Sequence, residues 1–534
     1  MDHSPAFRLR RFLNWFPLGL TYATMYMGRY NFNIVKNDIG ALYHLDKVQM
    51  GIIASAGFWT YGLSVALNGP LADRFGGRKA ILIGAIGAAI LNFFIGIMFA
   101  GGYTAHLLVS MSLLWSLNMY FQSFGALSVV KVNSTWFHVH ERGVFGGIFG
   151  IMISSGYFLA TTIGAWLLAS FRSWTVIWFV PAAAMGGMFI VDYFMVRNRP
   201  SHAGQADFDT GDGSNAGSAE DAPLPLADLA KKVFHNPIVV SLIFAEFCTG
   251  FVRQGVMLYF TEYLAEVYGV SKTIPTMIPL GHPLPKLWNW ALGALIGGSL
   301  GAWLFHVVFT RFYLEGPNPK QDGAQDDRGL RAEWKWVFML FGFVSGGGLL
   351  SWVLWILGKH WPLYSMTGPA FMFGGIFGGL LCGWMSDKLF QSRRPPVAFY
   401  FYLVQVLMLG LLGMALGRGT WLGQVWAIVL LGLTAMFIFG VHGMLSGTAS
   451  MDFGGRKAAA TVAGALDGIQ YIGSGLTGFG LGWILKTYGW DGNSVLGHAP
   501  ANAWVWVGAI IPFSLVGALI MTRLWNAKPG SASH

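Results

Sequence analysis

The chain has 534 residues, of which 54% are hydrophobic, 16% aromatic and only 11% charged. A soluble domain carries about 25% charged residues, and a soluble protein this apolar would expose large hydrophobic patches to water. Disorder requires low hydrophobicity and high charge. The composition therefore excludes both classes and predicts an all-α polytopic membrane protein. The net charge of +10 requires no nucleic-acid partner, because basic loops orient membrane proteins.

Apolar segments of about 20 residues, the length that spans a bilayer, recur along the chain and predict about 14 transmembrane helices. The first six lie at 14–35, 49–71, 80–100, 107–131, 143–166 and 175–195. The other eight lie at 238–264, 289–311, 336–357, 366–386, 397–417, 424–447, 458–483 and 502–524. Gly, Ser, Asp and Pro dominate the stretch between the two sets, which is typical of a flexible linker. The expected domains are 1–196, the linker 197–237, and 238–534.

The distribution of basic residues predicts the orientation of these segments. With the N-terminus in the cytoplasm, 23 Lys and Arg fall in cytoplasmic segments and 8 in outer loops. This bias agrees with the positive-inside rule and with an even number of helices. Arg8, Arg10 and Arg11 precede the first apolar segment, and no small-residue cleavage site follows. A retained first helix is therefore expected, with both termini in the cytoplasm.

Two segments of the chain repeat one pattern, Gly-x-x-x-Asp-[Arg/Lys] followed by basic residues. They lie at 69–79, after the second predicted helix, and at 383–394, after the tenth. Two related halves around a central linker are the architecture of parallel-repeat transporters. The second copy comes two helices late, so we expect an inserted helical hairpin at about 280–360, after the seventh helix.

The 69–79 stretch resembles the loop motif of the major facilitator superfamily. The resemblance implies two pseudo-symmetric six-helix bundles and a latch that holds helix ends in one conformation. The expected latch residues are Asp73, Arg74, Arg78, Asp387 and Lys388.

Four further stretches resemble the organophosphate:phosphate antiporters of that superfamily. They are Tyr-x-x-Arg-x-Asn-Phe at 26–32, Val-Arg-Gln-Gly at 252–255, Leu-Cys-Gly-Trp-Met-Ser-Asp-Lys at 381–388, and 456–473. The resemblance implies secondary transport of glycerol phosphate or sugar phosphate by alternating access, in exchange for inorganic phosphate. It also implies a bacterial inner-membrane protein, and we expect a monomer.

Arg29 and Arg253 are the predicted anion ligands. Each lies inside an apolar helix, where an arginine is expected to face the bundle interior or a cavity. The guanidinium stays charged and presents paired donors to a phosphate. The two arginines occupy equivalent helices of the two halves, one and seven, so both should reach the midplane. The alternative is an internal acid partner, and Glu246, two turns before Arg253, could be that acid.

Four further residues are candidates for the substrate site. Tyr26 lies one turn from Arg29, and Tyr471 matches a family tyrosine that lines the cavity. Lys131 could extend the anion path, although a lysine at a helix end more often reaches toward the headgroups. Asp467 stands where the family has a small residue, and could carry a proton, select hydroxyls or an amine, or hydrogen-bond a neighbouring helix.

Two departures from the glycerol-phosphate members reduce the positive charge expected in the pocket. Residues 149–156 lack the fifth-helix histidine of those members, and Tyr61 lies where they have a second-helix lysine. A proton-coupled symporter of another organic anion is therefore an alternative. Its candidate proton carriers are Asp467, His442 and Glu246. A membrane sensor of sugar phosphate is another alternative.

Several kinds of site are absent from the sequence. It has no Gly-x-x-x-x-Gly-Lys-[Ser/Thr] motif, no nucleophile elbow and no paired catalytic carboxylates. Its two cysteines, Cys248 and Cys382, have no metal or disulfide spacing. We therefore expect neither an enzyme nor a metal or cofactor site. The expected partners are an anionic small molecule, inorganic phosphate and the lipid bilayer.

Overall fold

The computed structural model describes residues 4–138, 152–153, 155–171, 173–210, 235–269, 299, 302, 366–390, 393–493 and 500–527. The chain separates into two units, 11–276 with 363–534, and 1–10 with 277–362. Every contact discussed below lies in the first unit. The predicted hairpin helices, 289–311 and 336–357, and most of the linker fall outside the described residues.

Helices joined by short turns and loops make up the first half of the described chain. Its helices are α1 (Pro5–Leu42), α2 (Lys47–Phe75), α3 (Gly77–Ala100), α4 (Leu107–Gln122), α5 (Phe124–Trp136), α6 (Gly164–Phe171) and α7 (Val176–Met195). A π-helical segment, Leu159–Ile163, precedes α6. Asp46 begins α2 with a capping box, in which its carboxylate accepts from Gln49 N at 2.8 Å and Gln49 Oε1 accepts from Asp46 N at 2.9 Å.

Within the predicted segment 107–131 the helix is interrupted at one residue, Ser123, whose backbone stays in the right-handed helical region. There α4 ends and α5 begins. The Ser123 hydroxyl donates to Tyr120 O at 2.7 Å and accepts from Asn68 Nδ2 at 2.8 Å. A serine that bonds the preceding turn in this way often bends a helix. The division places Gln122 at a helix end, beside the arginine site described below.

The second half is also helical. Its helices are α8 (Pro237–Glu266), α9 (Thr367–Lys388), α10 (Arg394–Gly413), α11 (Trp421–His442), α12 (Ser450–Tyr488) and α13 (Trp504–Arg523). A second π-helical segment, Gly443–Ala449, joins α11 to α12. Asn236 caps α8 by accepting from Ile238 N at 3.0 Å, and Pro237 occupies the first turn, where its missing N–H costs no hydrogen bond.

Eight helices in the described part of the chain are long and apolar enough to cross a membrane. Each coincides with one of the segments predicted from the sequence, which confirms the all-α polytopic class. Helices α1 and α12 contain the predicted segments 14–35 and 458–483 and extend beyond them at both ends.

Helices α2 and α12 join the two halves through close backbone contact. A Cβ atom on Gly62 would lie 2.6 Å from Gly468 O, and one on Gly468 would lie 2.7 Å from Gly62 O. Only glycine allows this approach, which is typical of packed membrane helices. The contact continues toward both ends of α2, named here the Asp46 end and the Asp73 end.

Candidate functional site

Arg29 lies on α1 and is only 1% exposed. Its Nη1 donates to the Tyr471 hydroxyl at 3.0 Å, and its Nη2 donates to Gln122 O at 3.2 Å. The guanidinium carbon lies 4.6 Å from the centre of the Tyr26 ring and 4.5 Å from that of the Tyr61 ring. These cation–π contacts stabilise a buried positive charge without neutralising it.

Arg253 lies on α8 and is equally buried, at 1% exposed. Its guanidinium carbon is 5.1 Å from the centre of the Tyr471 ring. Its Nε and Nη2 have no hydrogen-bond partner among the described residues. Buried donors are nearly always hydrogen-bonded in folded proteins, so these two atoms indicate a site for an acceptor.

Tyr471 of α12 connects the two arginines. Its hydroxyl accepts from Arg29, while its ring faces Arg253. The hydroxyl is also 3.5 Å from that of Tyr30. The structure therefore brings together Arg29, Arg253, Tyr26 and Tyr471, four residues that the sequence proposed for the substrate site.

Tyrosines surround the arginines, and most of them were not predicted from sequence patterns. The ring centres of Tyr30 and Tyr157 are 4.5 Å apart, and those of Tyr61 and Tyr471 are 4.0 Å apart. In the described part of the chain, the Tyr157 hydroxyl has no partner. A pocket beside Tyr30 and Tyr157 continues along Met257 toward the Asp46 end of the bundle. Of these residues, only Tyr61 had a signal, as a departure from the family pattern.

The candidate proton carriers lie next to this site. The Tyr61 hydroxyl donates to Asp467 Oδ2 at 3.4 Å, and Asp467 is 8% exposed. Glu246 is 0% exposed, and its Oε2 lies 3.5 Å from His442 Nδ1. Gln470 Nε2 is 2.8 Å from the same nitrogen. Glu246 and His442 thus form a buried pair that linear spacing did not predict.

Lys131 contacts the predicted latch. Its Nζ lies 2.7 Å from Asp73 Oδ1, and the Thr461 hydroxyl donates to Asp73 Oδ2 at 3.1 Å. Asp73 therefore links α5 of the first half to α12 of the second. Among described contacts, Lys131 belongs with Asp73 rather than with the arginines.

The other latch residues are placed differently. Arg78 donates to Tyr193 O at 2.6 Å, within the first half. Arg74 is exposed in the last turn of α2. Asp387 and Lys388 end α9, and their side chains lie outside the described residues.

Ion pairs link the halves at the Asp46 end. Lys36 of α1 lies 2.8 Å from Glu262 of α8, with side chains 5% and 4% exposed. Lys486 of α12 lies 2.8 Å from Asp46 Oδ2, on the surface. The Lys486 hydrogen bond and the Gln49 backbone N–H hold the pKa of the Asp46 carboxyl below its usual value.

In the described ranges no group of three or more His, Cys, Asp or Glu side chains could hold a metal ion. A bundle of membrane-length helices, with buried arginines where its halves meet, defines a helical membrane transporter. The chain belongs to the Major Facilitator Superfamily, whose family model matches residues 18–284.

Relatives with similar sequences have more specific names than the superfamily. A "Probable hexose phosphate transport protein" of Chlamydia pneumoniae is 23% identical over 97% of this chain and 91% of its own. "Membrane sensor protein UhpC" of Salmonella typhimurium is 23% identical over 89% and 85%. A "Glycerol-3-phosphate transporter" of Bacillus subtilis is 22% identical over 92% and 88%.

Among solved structures, a bacterial homologue of the human lysosomal transporter Spinster, in an inward-facing conformation, has a similar fold. The TM-score is 0.55 at 13% sequence identity, over 98% of this chain and 96% of that one. This similarity supports the transporter fold and carries no information on the substrate.

Proposed function

We propose that the protein is a secondary transporter that exchanges phosphorylated small metabolites for inorganic phosphate. The observation that carries the proposal is the arginine site, in which Arg29 and Arg253 are each 1% exposed and both contact Tyr471. Neither guanidinium can lose its charge at neutral pH. A phosphoryl dianion would neutralise both and would accept from the two donors of Arg253 that are unpaired among the described residues.

The organic part of the substrate is proposed to lie toward Asp467. The site has a tyrosine, Tyr61, and an acid, Asp467, joined by a hydrogen bond at 3.4 Å. Hydroxyl groups can donate to a carboxylate, so a polyhydroxylated sugar phosphate suits the site better than glycerol phosphate. The name of the Chlamydia pneumoniae relative supports this choice.

Alternating access would break contacts at one end of the bundle while those at the other end hold. The Asp73–Thr461 bond and the Asp46–Lys486 ion pair both join α2 to α12, at opposite ends. We assign the Asp73 end to the cytoplasm, with both termini, in a bacterial inner membrane. The moving bodies would be 1–196 and 238–534, joined by the linker 197–237, in a monomer, with the 280–360 hairpin at the periphery.

Exchange of labelled phosphate in phosphate-loaded proteoliposomes tests this proposal. The variants are Arg29→Lys and Arg253→Lys, with the exposed Arg418→Lys as the matched control. Loss of a buried charge-assisted contact costs at least about 2 kcal/mol, so exchange should fall about 30-fold or more in both site variants and persist in the control.

Other outcomes would identify the alternatives. Folded wild-type protein that binds phosphate without exchanging it would contradict transport and favour a sensor, as the name of the Salmonella typhimurium relative suggests. Uptake that needs a pH gradient and no internal phosphate would favour proton symport of another anion.

A further inference from the structure

The Tyr157 hydroxyl is a buried polar group that has no hydrogen-bond partner in the part of the chain that the structure describes. The side chain is only 1% exposed, so bulk water does not solvate the hydroxyl either. A buried hydroxyl without a hydrogen bond is costly, and most such groups in folded proteins are satisfied by the protein, a water or a ligand. The described packing therefore leaves this hydroxyl available to a ligand.

Tyr157 lies where the two halves meet, on the helical turn that precedes the π-helical segment Leu159–Ile163. Its ring centre is 4.5 Å from that of Tyr30 and 5.2 Å from that of Tyr26, both on α1. It is also 5.5 Å from the ring centre of Phe439, which lies on α11 of the second half. Rings from both halves thus enclose Tyr157.

The backbone on either side of Tyr157 is held in place. The Thr161 hydroxyl donates to Tyr157 O at 2.7 Å. The preceding residue, Gly156, packs so closely on α1 that a Cβ atom there would lie 2.5 Å from Tyr26 Cβ. A side chain on a fixed backbone, enclosed by rings, loses little conformational freedom when a ligand binds, so its hydrogen bond contributes fully to affinity.

Tyr30 connects Tyr157 to both arginines. The hydroxyl of Tyr30 is 3.5 Å from that of Tyr471, which accepts from Arg29 and whose ring faces Arg253. Tyr157 also lies close enough to Arg253 for an electrostatic interaction. The unpartnered hydroxyl is therefore at the arginine site.

The arginines have further donors without partners among the described residues. They are Arg29 Nε and the Nε and Nη2 atoms of Arg253. With the Tyr157 hydroxyl, four unpartnered groups that can donate lie at one site, on three separate helical segments. A phosphoryl dianion presents three strong acceptor oxygens and so can accept from several sides at once. This combination of donors suits a phosphoryl group.

We propose that Tyr157 is a third ligand of the anion, and that its hydroxyl donates a hydrogen bond to a phosphoryl oxygen held by Arg29 and Arg253. The hydroxyl keeps its proton throughout. The pocket lined by Tyr30, Tyr157 and Met257 adjoins this position. The inference rests on the proposed function and adds a residue that the two arginines and Tyr471 do not account for.

Two measurements on wild type, Tyr157→Phe and Tyr263→Phe test the inference, namely isothermal titration with inorganic phosphate and thermal unfolding without ligand. Tyr157→Phe should bind phosphate about tenfold or more weakly, because hydrogen bonds to charged groups are strong. Its unfolding midpoint should equal or exceed that of wild type, because the change removes a buried polar atom that has no partner among the described residues.

The control should behave in the opposite way. The Tyr263 side chain is 0% exposed, but its hydroxyl donates to Leu412 O at 2.6 Å, remote from the arginines. Tyr263→Phe should therefore lower the unfolding midpoint and leave phosphate affinity unchanged. The pair of variants separates a hydroxyl that binds the anion from one that supports the fold.

The same titrations with glucose 6-phosphate show which part of the ligand Tyr157 contacts. A phosphoryl contact predicts the same fold-loss of affinity for both ligands. A loss confined to glucose 6-phosphate would place the hydroxyl at the sugar and overturn the inference.

Three further outcomes are decisive. Unchanged phosphate affinity in Tyr157→Phe would overturn the inference and leave the proposed function intact. Failure of Tyr157→Phe to fold would show that the hydroxyl supports the structure, which would also overturn the inference alone. A folded wild-type protein that binds no phosphate would overturn both the inference and the proposed function.

Discussion

Helices α1 and α8 bring together two sets of buried charges that differ in how the protein satisfies them. At the Asp46 end, Lys36 and Glu262 are 2.8 Å apart, and Lys36 also donates to Leu258 O at 3.0 Å. Farther along the same helices, Arg29 and Arg253 are like charges, joined by Tyr471, and Arg253 keeps unpaired donors among the described residues.

We propose that this difference separates structural charges from binding charges. Burying an ion is costly, and an opposite charge in direct contact offsets the cost within the protein. The Lys36–Glu262 pair is complete in this way and holds the two halves together. The described residues in contact with the arginines contribute aromatic rings and hydrogen bonds, so the arginine charges remain available to an anion. Four substitutions test this distinction, from the largest expected effect to the smallest.

Lys36→Met should produce the largest loss of stability. It leaves Glu262 buried without its closest partner, and breaking a buried ion pair costs about 3–5 kcal/mol. Thermal unfolding of the purified protein without substrate measures the effect. Arg253→Met, in contrast, removes a charge that no acid contacts among the described residues, and should not lower the midpoint. An equal drop in both variants would show that the two sets of charges are alike.

Tyr471→Phe should weaken phosphate binding by about 1.5–3 kcal/mol, because it removes the hydroxyl that orients charged Arg29 while the ring facing Arg253 remains. Isothermal titration with phosphate measures the change. Tyr263→Phe is the matched control, since that hydroxyl donates to Leu412 O, remote from the arginines. If both variants bind like wild type, Tyr471 does not organise the site.

Asp73→Asn should change the rate of exchange more than the affinity for phosphate. The substitution removes the ion pair with Lys131, which is partly exposed, so the effect on stability is about 1 kcal/mol. Exchange rate and dissociation constant are measured on the same preparation, with the exposed Arg74→Gln as the control. A change in affinity alone would argue against a latch.

Asp46→Asn should have the smallest effect, because its ion pair with Lys486 is half-exposed and screened by salt. The pKa of Asp46 is lowered in the folded protein, so its contribution is present above its unfolded pKa and is lost as the pH falls through the folded pKa. Wild type should therefore exceed the variant in melting temperature at pH 7 and match it in acid. A difference that persists in acid would contradict this origin.

The sequence predicted the arginines and Tyr471, but it did not predict most of the other residues that surround them. Arg29 and Arg253 could be identified because charged residues are rare in apolar helices, and Tyr471 because it lies in a family motif. Gln122, Tyr30 and Tyr157 take part in the site through contacts between residues far apart in the sequence. Their residue types are ordinary in membrane helices, so no local pattern identifies them. The break at Ser123 was missed because one serine is a weak signal in an apolar run.

Local spacing also did not predict two contacts, one within each half. Glu246 was considered as a partner for Arg253 on its own helix, and the structure places it against His442 of α11 instead. Lys131 was considered for the anion path and contacts Asp73. The first contact depends on how α8 packs on α11 and the second on how α5 packs on α2, which no periodicity within one helix encodes.

The two π-helical segments adjoin residues of this region, since Leu159–Ile163 begins two residues after Tyr157 and Gly443–Ala449 directly follows His442. A π-bulge accommodates one residue more than an α-helix of the same span. Deleting one residue from either segment should restore α-helical geometry while the helix beyond it keeps its orientation. Relatives without these bulges should therefore align to this chain with a one-residue gap at each segment. Whether such relatives have both arginines would show whether the insertions came before or after the arginine site.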